Sequence, residues 1–355
     1  MLNNILPNDN IYLAPQGFNL GQSNALTLGS SELNFKIFKI FIRRNLKTFS
    51  FDLPFENLLD WAKENKRSEE IEEKIHLILS KRMSLHGISF NSPSVMGVVN
   101  VTPDSFSDGG EFYLHKNAIS HGENLVKHGA SIIDIGGQST RPGSESISNY
   151  EESRRIISVI DKLSKKNLIS VDTNKSQIMR EAIMAGAKII NDISSLTNDK
   201  DSVKEIRSTP CGLILMHSQG IPKNMQENPK YNDVILDIFD YFEERIKFCE
   251  KHGIDRSRLI IDPGIGFGKT DYHLRRIMKY ISIFHSLGCP ILLGYSRKSF
   301  IARWSKLENE KDRLGGSIAS VLWSLSQGIQ MYRVHDVKET LQAISIWMHI
   351  IETKN

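Results

Sequence analysis

Asn100, Asp134, Asp172, Asn191 with Asp192, His217 and Asp262 each stand at the polar end of a short apolar run. Lys298 follows a seventh such run by a few residues, and Arg333 with His335 ends an eighth. A lone Asp or Asn among these is accounted for as a helix N-cap or a turn-former. Capping explains neither Lys298 nor Arg333 and His335, so the set as a whole requires a site. Asp172, Asn191 and Asp262 supply acceptors. With Lys298 they suit a flat heterocycle with amide and amino edges, because a carboxylate accepts two parallel N–H bonds from such a ring. Arg333, His335 and Asn100 offer donors and a hard oxygen, which suit phosphate and its Mg²⁺.

Two glycine-rich pieces fit the same chemistry. "GGQSTRPG" (136–143) and "DPGIGFGK" (262–269) combine backbone free of Cβ with Thr140, Arg141 and Lys269, side chains that could approach an anion closely. Neither is a Walker A sequence, and neither is a GxGxxG opening a helix after the first strand.

The elements that must position these groups recur with one rhythm from about residue 95. The apolar runs are "SVMGVVN", "ASIIDIGG", "LISVDT", "AKIINDI", "GLILMH", "RLIIDPG", "CPILLGYS" and "MYRVHD". Between them lie amphipathic stretches, in which Ala118, Gly122, Leu125 and Val126, and again Ile178, Ala182 and Ala185, follow helical spacing. Gly129, Gly186, Gly253, Gly288 and Gly328 punctuate the units where helices end. Continuous rather than alternating runs are expected when both faces of a strand are covered. Eight strand–helix units over about 240 residues predict an α/β fold, a (β/α)8 TIM barrel. An open doubly wound sheet has the same alternation, but it would gather polar ends at one switch point instead of spreading them over all strands.

Residues 1–84 differ in kind and form an N-terminal extension of unassigned structure and function, with the barrel over 85–355. "SELNFKIFKIFIRR" reads as either strand or amphipathic helix, "FENLLDWAKENKRSEEIEEKIHLILSKRM" as helix, and "SLHGISFNSP" as a turn into the first barrel strand. The charge run from Lys63 to Lys74 is expected to be a solvated helix face or a linker.

Composition excludes several classes. The formal charge of +4 is mild, and residues 1–92 carry 11 basic against 10 acidic residues, so no basic arm for nucleic acid is present. Cys211, Cys249 and Cys289 form no CxxC pair, which argues against a disulfide framework or zinc knuckle and fits a reducing cytosol. No basic leader followed by an apolar stretch opens the chain and no apolar run is long enough for a membrane span, so a cytoplasmic protein is expected.

From about residue 85 onward the sequence resembles dihydropteroate synthase, a pterin-binding barrel family. The motifs that carry the resemblance are "VMGVVNVTPDSFSDGG", "GASIIDIGGQSTRPGS", "ISVDTNK", "AKIINDIS", "LMHSQGIPKNMQ", "IIDPGIGFGK", "GYSRKSF" and "YRVHDV". The resemblance implies joining of p-aminobenzoate to 6-hydroxymethyl-7,8-dihydropterin diphosphate with release of diphosphate, as in folate biosynthesis. It implies pterin contacts from Asp172, Asn191, Asp262 and Lys298, and diphosphate contacts from Thr140, Arg333 and His335. A Mg²⁺ would sit at Asn100. Arg141, Phe267 and Ser296 would lie near p-aminobenzoate, with Phe106, Ser107 and Asp108 in the first loop ordering that pocket. Asn100, Asp172, Lys298, Arg333 and His335 would carry the catalysis. A homodimer formed through barrel helices away from the site is implied as well. Two departures from the family pattern stand out: Gln138 where Glu is usual, and Ser218 where Met is usual.

Two rivals are kept. A corrinoid-dependent methyltransferase shares the pterin-holding residues but needs no diphosphate site, and the "NVTPDSFSDGG", "SRKSF" and "RVHD" segments argue against it. A non-catalytic pterin-binding homologue would be expected to lack one or more of the strand-end groups, and none of the matched positions is empty.

Overall fold

The computed structural model describes residues 5–19, 25–102, 110–139, 143–220, 223–306 and 309–351. The N-terminal part forms strands β1 (Asn10–Gln16), β2 (Leu26–Thr27), β3 (Asn34–Phe35), β4 (Ile37–Arg44) and β5 (Lys47–Pro54). β4 lies between β1 and β5, antiparallel to both, and β2 pairs with β3 in a small ribbon. The ambiguous stretch is therefore strand, and its near-continuous apolar character has a tertiary cause. Alternate residues face two different partners. Ile11, Leu13, Phe38, Ile40 and Ile42 pack on Leu58, Trp61, Ile71 and Ile75 of the following helices, while Tyr12, Ala14 and Phe41 join the core of the barrel.

The expected single helix is two, α1 (Phe55–Glu64) and α2 (Ser68–Leu79). The break is a Schellman turn at Lys66 (φ 58°): Arg67 N–H donates to Ala62 O at 2.8 Å and Lys66 N–H to Lys63 O at 3.1 Å. The charges from Lys63 to Lys74 lie on these helices and their junction, where Lys74 and Arg67 both pair with Glu70. After α2, Arg82 ties the extension to the barrel by donating to Leu77 O, Ser80 O and His285 O.

The eight apolar runs form β6 (Ser94–Asn100), β7 (Ile132–Gly136), β8 (Ile169–Asp172), β9 (Ile189–Asp192), β10 (Gly212–Met216), β11 (Leu259–Asp262), β12 (Leu292–Leu293) and β13 (Met331–Val334). All pair in parallel in chain order, β13 returns to β6, and the bridge Ile261↔Ile291 joins β11 to the β12 segment, so the sheet closes. This is the (β/α)8 barrel. Around it run α3 (Gly110–Lys127), α4 (Asn149–Ser164), α5 (Ser176–Met184), α6 (Ser202–Arg207), α7 (Val234–Lys251), α8 (Asp271–Lys279), α9 (Ser299–Ser305), α10 (Leu314–Leu325) and α11 (Val337–Ile351).

Inside the barrel, Met96, Ile132, Ile189, Ile214, Ile260, Leu292 and Met331 form one apolar layer, sealed by Leu85, Ile88 and Phe90. The "SLHGISF" stretch is the plug: Leu85 and Ile88 bridge around His86 (φ 48°) and Gly87 (φ 85°), the positive pair of a tight hairpin. With this end filled by side chains, the polar strand ends open at the other.

Candidate active site

Strand pairing brings the polar ends to one level. Asn100 is opposite Gly136, Gly136 opposite Asp172, and Asp172 opposite Asn191, while Met216 is opposite Asp262. They border a cleft of about 1000 Å³, lined by Asn100, Asp172, Asn191, Asp262, Phe267, Lys269, Ser296, Lys298, Arg333 and His335 among others. Gly136, which carries no side chain into this level, lies between Asn100 and Asp172: a Cβ placed there would sit 3.8 Å from Asn100 Oδ1 and 3.6 Å from Asp172 Cβ.

The acidic half is tightly organised. Arg333 donates from Nε to Asp134 Oδ2 at 2.6 Å and from Nη2 to Asp172 Oδ2 at 3.0 Å, and Asn191 Nδ2 donates to Asp134 Oδ2 at 3.2 Å. Asp172 Oδ1 and Asp134 Oδ1 are buried with no protein partner. Buried carboxylate oxygens without donors are costly, so the arrangement is prepared to accept from a ligand at Asp172. Burial, helped by the nearby Asp134 charge and opposed by Arg333, pushes the Asp172 carboxyl up to about 7. Asp262 is also held above the usual carboxylate range by burial, against the Gly264 N–H that donates to its Oδ1 at 2.8 Å. The "DPG" turn makes that bond possible: Gly264 has φ 68°, and a Cβ there would stand 2.0 Å from the His217 carbonyl oxygen.

Beside this lies a cationic and aromatic wall. Lys298 Nζ sits 4.2 Å from the centre of the Phe267 ring, a cation–π arrangement. Lys269, 3% exposed, donates to Phe267 O at 2.8 Å and His217 O at 3.2 Å and approaches His217 Nδ1 at 3.1 Å. Burial holds the Lys269 ammonium down to about 7, and burial together with Lys269 keeps His217 well below the usual imidazole range. Ser296 Oγ accepts from the His335 N–H at 3.1 Å and lies 3.0 Å from His335 Nδ1, fixing the imidazole at the end of β13.

Three strand-end residues do not line the cleft. Asp134 lies beneath it as a partner of Arg333 and Asn191. Asp192 is fully buried and accepts from Ser194 N–H, Ser194 Oγ and Leu196 N–H. It is a turn-former, because successive residues of a strand point to opposite faces and Asn191 takes the inner one. His217 is packed behind Lys269, against Tyr231 and Tyr241. Phe106, Ser107, Asp108, Thr140 and Arg141 lie outside the described residues.

The cleft also takes in residues to which the sequence reading assigned no role. Met225, Gln226 and Pro229 come from the loop after β10, and Arg297, Arg303 and Arg313 from the seventh unit. Gln226 donates to Gly266 O and so ties the two loops together. Charge within "GYSRKSF" was the available signal for Arg297, and Met225 and Gln226 close the motif "LMHSQGIPKNMQ"; Pro229, Arg303 and Arg313 lie outside the motifs quoted above and are brought in by the path of the chain. Gln138 turns away from the cleft and accepts from Lys175 Nζ at 2.9 Å and Ile147 N–H at 3.1 Å, while Ser218 makes a local contact with Gly220 O.

No group of three or more His, Cys, Asp or Glu side chains with metal-binding geometry occurs among the described residues. A cation here would rely on Asn100 and on a ligand's own oxygens. That donor set fits Mg²⁺, which keeps several waters and takes few protein ligands when phosphate is present.

Comparison with known proteins gives a consistent picture. Residues 96–335 match the family model described as pterin binding enzyme. The chain is 42% identical over 261 residues to dihydropteroate synthase of Escherichia coli K12, covering 73% of this chain and 92% of that protein. It is 42% identical over 267 residues to dihydropteroate synthase of Neisseria meningitidis serogroup B, covering 73% and 93%. Among solved structures, the Yersinia pestis dihydropteroate synthase with a sulfonamide drug complex aligns with a TM-score of 0.71 at 39% identity, over 76% of this chain and 98% of that one. The Xanthomonas albilineans enzyme in complex with 7,8-dihydropteroate aligns with a TM-score of 0.68 at 36% identity, over 75% and 97%.

Proposed function

Because the chain belongs to the dihydropteroate synthases among the pterin-binding enzymes, we propose that its strand-end groups divide the work of that reaction between a ring-binding half and an anion-binding half. The reaction joins p-aminobenzoate to the exocyclic carbon of 6-hydroxymethyl-7,8-dihydropterin diphosphate and yields 7,8-dihydropteroate and diphosphate. The observation that carries the division is the unpartnered, buried Asp172 Oδ1 beside Asn191, with Arg333 already engaged below it.

Asp172, Asn191, Asp262 and Lys298 hold the pterin, the carboxylates accepting from its amino and ring N–H groups. Arg333 and His335, with Thr140 by the family resemblance, take the diphosphate. Phe267 and Ser296 flank the arylamine, with Arg141 and the first-loop residues Phe106, Ser107 and Asp108 completing that pocket by the same resemblance. Mg²⁺ bound through Asn100 would neutralise charge that grows on the departing diphosphate.

An arylamine is unprotonated at neutral pH, so the protein needs little general base, and loss of the leaving group is the difficult part. The C–O bond to diphosphate breaks with its electron pair leaving on oxygen, where Arg333 and His335 donate hydrogen bonds. The electron-rich dihydropterin, fixed by Asp172, Asn191 and Asp262, stabilises cationic character on the carbon. The amine nitrogen then forms the new C–N bond and releases one proton. Such a dissociative path requires that water be kept from the carbon, a task for the loops after β6 and β7.

The chain is further proposed to act in the reducing cytosol as a homodimer. Three free, buried cysteines accord with that compartment, and no helix among the described residues is long and apolar enough to cross a membrane. For the dimer, Trp323 on α10 and Ile346 and Ile350 on α11 are exposed by 46%, 60% and 69%, and light scattering on a sizing column tests whether this face is covered.

Incubating the purified chain with pterin diphosphate, p-aminobenzoate and Mg²⁺ tests the main reading. Dihydropteroate and diphosphate should appear in equal amounts and stop with EDTA. Pterin binding without product would favour the non-catalytic rival.

A further inference from the structure

The N-terminal sheet ends in a chain of polar contacts that reaches the arylamine side of the cleft. Arg43 of β4 donates from Nη2 to Asp237 Oδ1 and from Nη1 to Asp240 Oδ2, each at 2.5 Å, and Tyr12 OH of β1 donates to Asp240 Oδ1 at 2.8 Å. Both aspartates lie on the first turns of α7. Asp237 divides its oxygens: Oδ1 faces Arg43, while Oδ2 accepts the backbone N–H of Asn232 at 2.8 Å and of Asp233 at 3.3 Å. One residue earlier, Tyr231 OH donates to Gly268 O at 2.8 Å, in the loop that carries Phe267 and Lys269. Lys230 is held to Gln219 by two bonds of 2.7 Å, and Pro229 lines the cleft.

A second grip runs beside the first. Asp233, the N-cap of α7, pairs with Arg276 of α8, and that guanidinium lies 5.9 Å from the Phe41 ring of β4. The extension therefore holds the start of α7 and, through Arg276, the last turn of α8, the two helices that follow the loops after β10 and β11.

From this continuity we infer that Arg43 is a positioning residue for the reaction, and that the N-terminal unit serves as a brace that sets the cleft wall formed by the loops after β10 and β11. Without the guanidinium, Asp237 and Asp240 lose the cation that both accept from and keep the Tyr12 hydroxyl and the backbone N–H groups at the start of α7. The Asp237 carboxylate is then free to swing away from the Asn232 and Asp233 N–H groups, which loosens the path to Tyr231 and Gly268. The wall affected is the one nearest Phe267, so the inference, which rests on the proposed placement of p-aminobenzoate there, assigns the effect to the arylamine rather than the pterin.

The test uses the full chain and steady-state kinetics with each substrate varied. Arg43→Ala and, as a near-isosteric alternative should that variant fold poorly, Asp237→Asn are expected to raise KM for p-aminobenzoate by about threefold to thirtyfold, the range of remote positioning contacts. KM for the pterin diphosphate should change by less than about twofold. Lys39→Ala is the control, since the ion pair it removes, Lys39 with Asp52 at 2.6 Å, lies within the sheet itself. Its KM values should match wild type. Arg43→Lys, which keeps the charge but not the two-pronged grip, should restore part of the loss. Unchanged p-aminobenzoate KM in both main variants would overturn the inference, as would equal shifts for both substrates that follow melting temperature in all variants including Lys39→Ala. Failure of the wild-type chain to make product would refute the reaction itself, a separate outcome.

Discussion

Arg333 binds Asp134 and Asp172 at once, through Nε at 2.6 Å and Nη2 at 3.0 Å, although the three residues come from β13, β7 and β8. Two buried carboxylates share one cation, and each keeps an oxygen without a protein partner. The charge balance of the floor is thus set for a ligand that brings N–H donors. Asp172 is the member open to the cleft.

Asp172 is raised from the usual carboxylate value to about 7, chiefly by burial. A carboxyl raised in the folded state adds stability that is complete below its unfolded value of about 3.8 and is lost as the pH rises through about 7. Asp172→Asn removes that loss. The melting temperature of the variant relative to wild type should therefore increase between about pH 5 and pH 8, while its pterin affinity falls by about tenfold or more for want of a charged acceptor. Parallel melting curves across that range would refute the assignment.

Asn100 lines the cleft and is the proposed hard-oxygen ligand for Mg²⁺. Asn100→Ala should lower kcat by about 10²-fold or more and raise the Mg²⁺ concentration needed for half-activation. Turnover measured against Mg²⁺, with EDTA as the zero point, decides the matter. Wild-type rates in the variant, or product formation in EDTA, would remove the metal from the mechanism.

Lys269 is depressed to about 7 from an unfolded value of 10.5, mainly by burial. For a lysine the sign is the reverse of Asp172: its contribution is complete above about 10.5 and is lost as the pH falls toward about 7. Lys269→Met lacks this loss, so its melting temperature relative to wild type should rise as pH is lowered from about 9 to about 6. A constant offset, set only by the acceptors at His217 and Phe267 left bare, would show that Lys269 stays charged throughout.

Gln138 accepts from Lys175, which also donates to Glu152 Oε2 at 2.7 Å and Ile147 O at 2.6 Å. Gln138→Glu keeps the acceptor and adds a charge next to an ammonium. Stability should move by less than about 1 kcal/mol, and kcat and both KM values by less than about twofold because no cleft contact changes. A large KM effect would mean that the segment after β7 transmits its position to substrate.

Much of the architecture was legible because its causes are local. Runs such as "LISVDT" and "AKIINDI" are apolar throughout since both faces of a barrel strand are covered, and their polar ends mark the open mouth. The extension was less legible. "FKIFKIFIRR" is nearly as apolar as a barrel strand for a different reason, being enclosed between α1 and α2 on one side and the barrel on the other. The break between α1 and α2 rests on Lys66 in a left-handed conformation, where sequence would favour glycine.

The residue types at the strand ends, their order and the eightfold rhythm were determined by the sequence itself, because hydrophobic periodicity and turn chemistry act over a few neighbours. Which of those polar residues meet was decided by tertiary structure alone. Barrel closure brings Arg333 to Asp134 across 199 positions. Strand pleat turns Asn191 inward and Asp192 out. Arg43 reaches Asp237 across 194 positions, joining an extension without a chemical motif to the wall of the cleft. Charge pairs of this kind carry no periodic trace in a sequence, since their partners are chosen by the path of the whole chain.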